Sequence, residues 1–283
     1  MNIRQALAEA SSLLADNSIE EAELESEVLL RHTLGLNRVQ LYLVFDDELD
    51  IEHHNLFHDF IERRLQGEPS AYITGHREFY ALDFLVDSRV LIPRPESELL
   101  VEKAIETAGA ASPGAVVDVG TGCGAIAVCL ALNLAGVKIY ATDISADALE
   151  VARENAARHG VAERIDFLQG DLLEPLPSAV GLIVANLPYV RRADMPEAGP
   201  VSYEPALALD GGEEGLDKIE TLCNQAAQAL TGNGRLLLEI GEGQAGTVQE
   251  IIRGALPTAK LEVYRDLSGI ERVVGAGLTG SRT

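Results

Sequence analysis

Val116-Val117-Asp118-Val119-Gly120-Thr121-Gly122-Cys123-Gly124 is an apolar run followed by a glycine-rich turn, and a helical pattern begins directly behind it. Glycines let a backbone turn sharply and approach a ligand without a Cβ in the way, so strand, turn and helix suit a nucleotide-like cofactor. Outward from it, apolar runs of strand length alternate with helical segments at 116–119, 137–142, 165–168, 182–185, 235–240 and 261–264. That alternation predicts an α/β architecture with a parallel sheet covered on both faces. A last run, Arg272 to Ala276, follows a short turn around Ser268-Gly269. So short a link permits only an antiparallel neighbour, because parallel strands need a long crossover.

Upstream of the sheet, residues 1 to about 75 read as an all-helical module. Ile3, Leu7 and Leu14 share a face, Ser18-Ile19-Glu20-Glu21 has the pattern of a capping box, and Phe57, Phe60, Ile61 and Leu65 follow helical spacing. Between Gly67 and Ile92 the period shifts towards two, and Glu78 to Val86 is expected to form a strand pair linking the modules. Pro93-Arg94-Pro95-Glu96 then starts a helix running to about Ala108. The expected division is a helical domain at 1–75, a β-hairpin linker at 76–92 and a catalytic domain at 93–283.

The chain has 283 residues, 45 Asp and Glu against 22 Lys and Arg, and a formal net charge of -23. A field of that sign opposes polyanions, so DNA and tRNA are disfavoured and a basic protein is the expected partner. Three cysteines without CxxC spacing indicate neither a disulfide framework nor a zinc site, and no metal is expected. Nor does the chain show an apolar secretory core near Met1 or an uncharged run long enough to span a bilayer. The expectation is a cytoplasmic monomer.

The glycine turn leaves the cofactor open, since Gly120-x-Gly122-x-x-Ala125 with Asp143 after the next strand also satisfies the dinucleotide pattern. Asp143 can accept hydrogen bonds from both ribose hydroxyls in either class. Asp171 is placed to meet an adenine amino group while Leu172 packs on the base. The run Gly181-Leu182-Ile183-Val184-Ala185 ends in Asn186-Leu187-Pro188-Tyr189, bringing an amide and an aromatic ring to a strand's carboxyl end, where open α/β sheets bind ligands. A planar nitrogen needs two acceptors for its two N–H bonds, and the Asn186 side chain and the Leu187 carbonyl supply them beside the flat Tyr189 ring. This favours methyl transfer to an amide or amine over hydride chemistry.

The residues resemble the PrmC/HemK family, protein glutamine N5-methyltransferases that modify peptide chain release factors. The likeness runs through Tyr72 to Gly75, Ile92 to Glu98, Asp118 to Gly124, Thr142 to Ser145, Gly170 to Leu172, Tyr203 to Ala208 and Gly211 to Leu216. It implies a Rossmann-like class I methyltransferase sheet, S-adenosyl-L-methionine as cofactor with S-adenosyl-L-homocysteine as product, and class 1 release factors as partners. It implies that the loop Gly120, Thr121, Gly122, Cys123, Gly124 and the carboxylate of Asp143 hold the cofactor; Asp171, Leu172 and Asn186 are expected beside it, and Pro93-Arg94-Pro95-Glu96 is expected to set Arg94 and a helix start near its carboxylate, since both favour an anion. The resemblance also implies that Asn186, Leu187, Pro188 and Tyr189 grip the glutamine of a Gly-Gly-Gln motif, and Glu204 and Pro205 are expected in the loop over it. The remaining alternatives are an N6-adenine methyltransferase, whose acceptor presents a similar ring and amine, and a dehydrogenase or non-catalytic binding protein.

One departure stands out: the family's tetrapeptide is Asn-Pro-Pro-Tyr, and here Leu187 takes the second place. The carbonyl survives and Pro188 keeps Leu187 extended, but the ring that fixes φ is lost. A Leu187→Pro variant is expected to turn over faster than the parent, and steady-state rates no higher than the parent's argue against that view.

Overall fold

In the computed structural model, which describes residues 1–278, helix formation near the N terminus begins at asparagine. Asn2 caps α1 (Ile3–Asp16), its Oδ1 accepting from the Gln5 N–H at 2.8 Å while the Gln5 side chain accepts from the Asn2 N–H at 3.0 Å. The capping box expected at Ser18 to Glu21 does not form: α2 (Ala22–Leu34) starts from Glu21, at φ 51°, with no side-chain cap. Its would-be first residue is already used to end α1. Ser18 lies at φ 59°, its N–H bonds the Ala15 carbonyl, and the Ile19 N–H bonds the Leu14 carbonyl. A capping serine needs extended backbone, which this left-handed helix terminus excludes.

The reciprocal Asn-Gln box recurs where Asn37 and Gln40 cap α3 (Arg38–Leu43), and Asp50 accepts from the His53 N–H at the start of α4 (Ile51–Leu65). After α5 (Ser70–Thr74) the unit closes over Ile3, Leu14, Leu29, Leu30, Leu41, Phe57 and Ile61. Leu7, Phe60 and Leu65 pack beside that core. By contacts this unit comprises 1–76 together with 196–203, and the Tyr203 hydroxyl donates to the Gln66 carbonyl at 3.0 Å.

The second unit comprises 77–195 and 204–278 of the described chain. Strands β1 (His76–Phe79) and β2 (Leu82–Leu85) form the expected hairpin. Its turn residues, Tyr80 and Ala81, sit at φ 53° and 57°, a conformation that usually recruits Asn or Gly. A left-handed non-glycine residue costs about 1–2 kcal/mol, and glycine's greater freedom when unfolded offsets about 0.5–1 of that. Ala81→Gly is therefore expected to stabilise the unit by up to about 1 kcal/mol, read as a higher denaturant midpoint at constant m. An unchanged midpoint shows that the turn carries no strain.

A tight 3₁₀ turn at Pro95–Ser97 leads into α6 (Glu98–Ala111), so the expected helix is present with a short, tighter first segment. Then follow β3 (Ala115–Val119), α7 (Ala125–Asn133), β4 (Lys138–Asp143), α8 (Ala146–Arg158), β5 (Ile165–Gln169), β6 (Val180–Ala185), α9 (Asp217–Ala229), β7 (Leu230–Glu239), α10 (Ala245–Ala255), β8 (Lys260–Arg265) and β9 (Glu271–Gly277). All seven runs read from the sequence enter one sheet, ordered β5-β4-β3-β6-β7-β9-β8. This is the Rossmann-like arrangement that the resemblance implies, and β9 pairs antiparallel with β8 as its short link requires. It also pairs antiparallel with β7, inserting between its two predecessors, which no local pattern encodes.

Strand order reverses at β3, which pairs in parallel with β4 on one side and β6 on the other. The register sets Val119 opposite Ala185, so Gly120 and Asn186 leave the sheet side by side at this switch point. Val116, Val117, Val119 and the whole of Leu182 to Ala185 are fully buried, which accounts for their unbroken apolar runs.

Candidate active site

The glycine loop is closed upon itself. Gly120 and Thr121 donate their N–H groups to the Thr142 carbonyl, Gly124 donates to the Thr121 carbonyl, and Gly122 donates to Asp143 Oδ2 at 2.9 Å. Gly120, Gly122 and Gly124 have φ of 70°, 54° and 82°, so each needs glycine's freedom. A Cβ on Gly120 would stand 3.1 Å from Leu187 Cδ2, and one on Gly124 3.0 Å from Ala152 Cβ. Gly122 is different: it lines the cavity, and a Cβ there would meet nothing within 4 Å.

Asp118 explains why the loop keeps this shape. It is fully buried, and its Oδ2 accepts from the Thr121 hydroxyl at 2.7 Å and from the Ala127 N–H in the first turn of α7 at 3.1 Å. Burial lifts its carboxyl to about 7 against those two bonds. A helix amino terminus of this kind ordinarily attracts phosphate, but here a protein carboxylate already occupies it. With the N–H groups of Gly120, Thr121, Gly122 and Gly124 engaged as well, the turn offers a pyrophosphate fewer donors than an open phosphate loop.

Asp143, at the end of β4, presents a carboxylate to the cavity. Its Oδ1 accepts from the Ser145 N–H at 2.9 Å and its Oδ2 from Gly122, leaving lone pairs on both oxygens for a diol. Burial raises its pKa, and the backbone bonds of Ser145 and Gly122 oppose the rise. The cavity lies at the carboxyl ends of β3, β4 and β6, where open α/β sheets bind nucleotide-like ligands. Leu172, held at φ 52°, and the half-exposed Ile144 give it apolar walls. Lys218 Nζ lies 3.3 Å from Asp171 Oδ1, and Arg89 is bound to Asp87 at 2.7 Å, so the cationic side chains at the rim are paired.

Of the residues expected at the site, Gly120, Gly122, Asp143, Asp171, Leu172, Asn186, Leu187 and Pro188 line this one cavity. Thr121, Cys123, Gly124, Tyr189 and Arg94 are not among its lining residues. Thr121 serves Asp118, as above. Cys123 is buried, with its thiol pushed up to about 12, and its carbonyl accepts from Asn155 Nδ2 at 2.9 Å. Arg94 pairs with the buried Glu204 carboxylate, whose other oxygen accepts from the Ile92 N–H at 3.0 Å. Glu204 thereby fixes the loop carrying Pro205 and Leu207, both of which line the cavity.

The Asn186 to Tyr189 segment is braced from behind. Asn186 Nδ2 donates to the Ser97 hydroxyl at 3.0 Å, while Leu187 is 4 % exposed and packs into the core below β6. The Tyr189 carbonyl accepts from Gln244 Nε2 at 3.2 Å, and burial near Glu239 pushes its phenol up to about 12. Ser97 and Asp118 lie in stretches that carry the resemblance, but their roles, like those of Glu239, Gln244 and Asn155, are not legible in the sequence because each acts through a tertiary neighbour. Asn155 left a faint signal, a polar residue on the apolar face of α8. Its side chain bonds both the N–H and the carbonyl of Leu85, at 2.8 and 3.0 Å.

Among the described residues, no group of three or more His, Cys, Asp or Glu is placed to bind a metal, and no helix is long and apolar enough to cross a membrane.

Residues 5–75 match the PrmC N-terminal domain, and residues 95–198 match the methyltransferase small domain. The release factor glutamine methyltransferase of Moorella thermoacetica is 42% identical over 274 residues, covering 96% of this chain and 97% of that protein. The protein of the same name from Deinococcus radiodurans is 39% identical, covering 99% and 100%. Two solved structures share the fold: a methyltransferase from Pyrococcus furiosus, at 16% identity and a TM-score of 0.53, covers 70% of this chain and 89% of its own. The ribosomal protein L11 methylase from Lactobacillus delbrueckii subsp. bulgaricus, at 23% identity and a TM-score of 0.50, covers 70% and 84%. With a switch-point cavity bounded by Asp143 and Asn186 and near full-length identity of this order, the chain belongs to the release factor glutamine methyltransferase family.

Proposed function

We propose that the chain transfers a methyl group from S-adenosylmethionine to the side-chain amide nitrogen, N5, of the glutamine in the Gly-Gly-Gln motif of class 1 release factors. The observation that carries this reading is that Asp143 and Asn186 border the same cavity, a diol acceptor and an amide acceptor together. Asp143 takes the ribose hydroxyls, Leu172 and Ile144 flank the base, and Asp171 accepts from its amino group. Gly122 supplies space for close backbone approach, while Thr121, Cys123 and Gly124 keep the loop in shape. Arg94, through the guanidinium N–H groups that Glu204 does not take, is the candidate partner of the cofactor's carboxylate.

When bound, the cofactor supplies an electrophilic methyl group on a cationic sulfur. An amide nitrogen is a poor nucleophile because its lone pair is delocalised, so the protein's work is orientation. The Asn186 Oδ1 and the Leu187 carbonyl accept its two N–H bonds, and the Tyr189 ring bounds the acceptor. Orientation of this kind can lower a barrier by roughly 7–11 kcal/mol. The nitrogen's surplus proton leaves to water once the new C–N bond has formed, and a neutral thioether, S-adenosylhomocysteine, remains.

The same reading assigns acceptor recognition to 1–75, a linker to 76–92 and catalysis to 93–283, in a monomer working in the cytoplasm. Glu20, Glu21 and Glu23 are exposed on the helical unit and suit a basic partner, so association weakens as salt rises. An adenine acceptor in nucleic acid is disfavoured by 45 acidic against 22 basic residues. Mass spectrometry of a release factor after incubation with enzyme and cofactor tests the proposal. One added methyl on the Gly-Gly-Gln glutamine supports it; an unmodified factor beside methylated adenine in DNA overturns it.

A further inference from the structure

Behind Asn186 lies a buried polar cluster that the reaction as described does not use. Ser97, at the end of the 3₁₀ turn before α6, and Glu239, the last residue of β7, are each 3 % exposed. Asn186 Nδ2 donates to Ser97 Oγ at 3.0 Å, and the β6–β7 register, with Ala185 opposite Leu238, brings the Glu239 carboxylate out of the sheet beside Asn186, its Oε2 buried without a hydrogen-bond partner among the described residues. A carboxylate is seldom buried in a strand that needs only apolar residues, and its neighbours here are the one side chain assigned to grip the acceptor and the hydroxyl that touches it.

We propose that Glu239 and Ser97 are positioning residues, which fix the Asn186 carboxamide by its Nδ2 and so keep Oδ1 available to the acceptor nitrogen. This rests on the function proposed above. The two ends of a carboxamide are nearly equal in shape, and nothing steric chooses between them. Hydrogen-bond polarity chooses. An ionised carboxylate can only accept, so Ser97 donates to it and offers Asn186 a lone pair, which an N–H must fill. A protonated Glu239 can donate to Ser97 instead, Ser97 can then donate to Asn186, and the carboxamide turns its N–H groups towards an acceptor that also presents N–H groups. Two donors would face each other and the grip would fail.

The environment of Glu239 sets where that reversal occurs. Burial raises its carboxyl to about 7, the neighbouring Glu96 adds to the rise, and Ser97, Arg272 and Asn186 oppose it; Tyr189 also lies within electrostatic reach. With the pKa raised, the working carboxylate is lost as pH falls through about 7. Turnover at saturating substrates should therefore climb with pH through that region.

Glu239→Gln tests the idea with volume preserved. Its kcat is expected to fall about 10- to 100-fold, as happens when partners that orient metal ligands are removed, with cofactor Kd within about twofold of the parent. The acid limb near pH 7 should vanish from its kcat profile. Ser97→Ala should lose a similar factor, and the double variant should be no worse than the poorer single, because both break one chain. A Glu239→Gln enzyme with parental kcat and an intact acid limb, or strictly multiplicative losses in the double variant, overturns the inference. The Asn186 side-chain amide resonance needs no acceptor: it should titrate with a midpoint near 7 in the parent and not in Glu239→Gln. Without that titration the inference fails even where the parent methylates release factor, whereas a titrating parent that leaves release factor unmodified sinks only the assigned function.

Discussion

Asn186→Ala is expected to reduce methyl transfer by about a hundred- to a thousandfold in kcat, the range found on removing a preorganised transition-state partner, with cofactor affinity within about twofold of the parent. The argument is geometric. Alanine keeps the backbone of the segment, so the Leu187 carbonyl still accepts one N–H, but the acceptor amide can then rotate about that single bond. Its lone pair loses its line to the electrophilic carbon. At the same time Ser97 loses the donor that Asn186 gave it, beside a Glu239 carboxylate that is 3 % exposed. Some loss of stability should accompany the loss of rate. Calorimetry with S-adenosylmethionine separates the two, because Asp143 and the glycine loop are untouched. A variant that retains the parental rate refutes the role given to this side chain.

Asp143→Ala should show the opposite pattern, a cofactor Kd raised by about 100-fold, equivalent to about 2.8 kcal/mol. Two effects add: the ribose hydroxyls lose their acceptors, and the N–H groups of Gly122 and Ser145 lose theirs inside a cavity wall. The folded pKa of Asp143 is raised by burial, so its ionised form is lost as pH falls through that raised value. Cofactor affinity should weaken on the acid side in the parent and show no such dependence in Asp143→Ala. The measurement is a Kd series against pH for both proteins. Equal affinities at neutral pH would place the diol elsewhere.

How much of this was legible depends on the distance over which each residue acts. The central strands could be read because strands buried on both faces must be apolar throughout, and Leu182 to Ala185 is such a run; the outer β5 and β8 are only partly buried and showed instead as short apolar stretches between helical segments. Asp143 and Asn186 could be read because their position, just past a strand that ends at a switch point, is itself a local pattern. The capping box at Ser18 was misread because the same residue closes the preceding helix, and the tighter set of backbone bonds won. The Tyr80-Ala81 turn carries no Gly, Asn or Pro, so only the flanking alternation betrayed the hairpin. Glu239 gave no signal at all. Inside the run 235–240 it stands as a single polar residue between Leu238 and Ile240, and its meaning lies in Ser97 and Asn186, which come to its side from distant stretches of chain.

Strand β9 lies between β7 and β8 although it follows both along the chain. During synthesis, therefore, β8 emerges from the ribosome with no neighbour to bond, and the flank of β7 waits open until Glu271–Gly277 has been made. The nascent protein cannot complete its central layer by adding elements in order; it must hold a gap for a late arrival, with two unpaired strand edges exposed meanwhile to any other strand. A stop codon before residue 271 would for that reason produce a chain prone to aggregate, not an enzyme with a trimmed end.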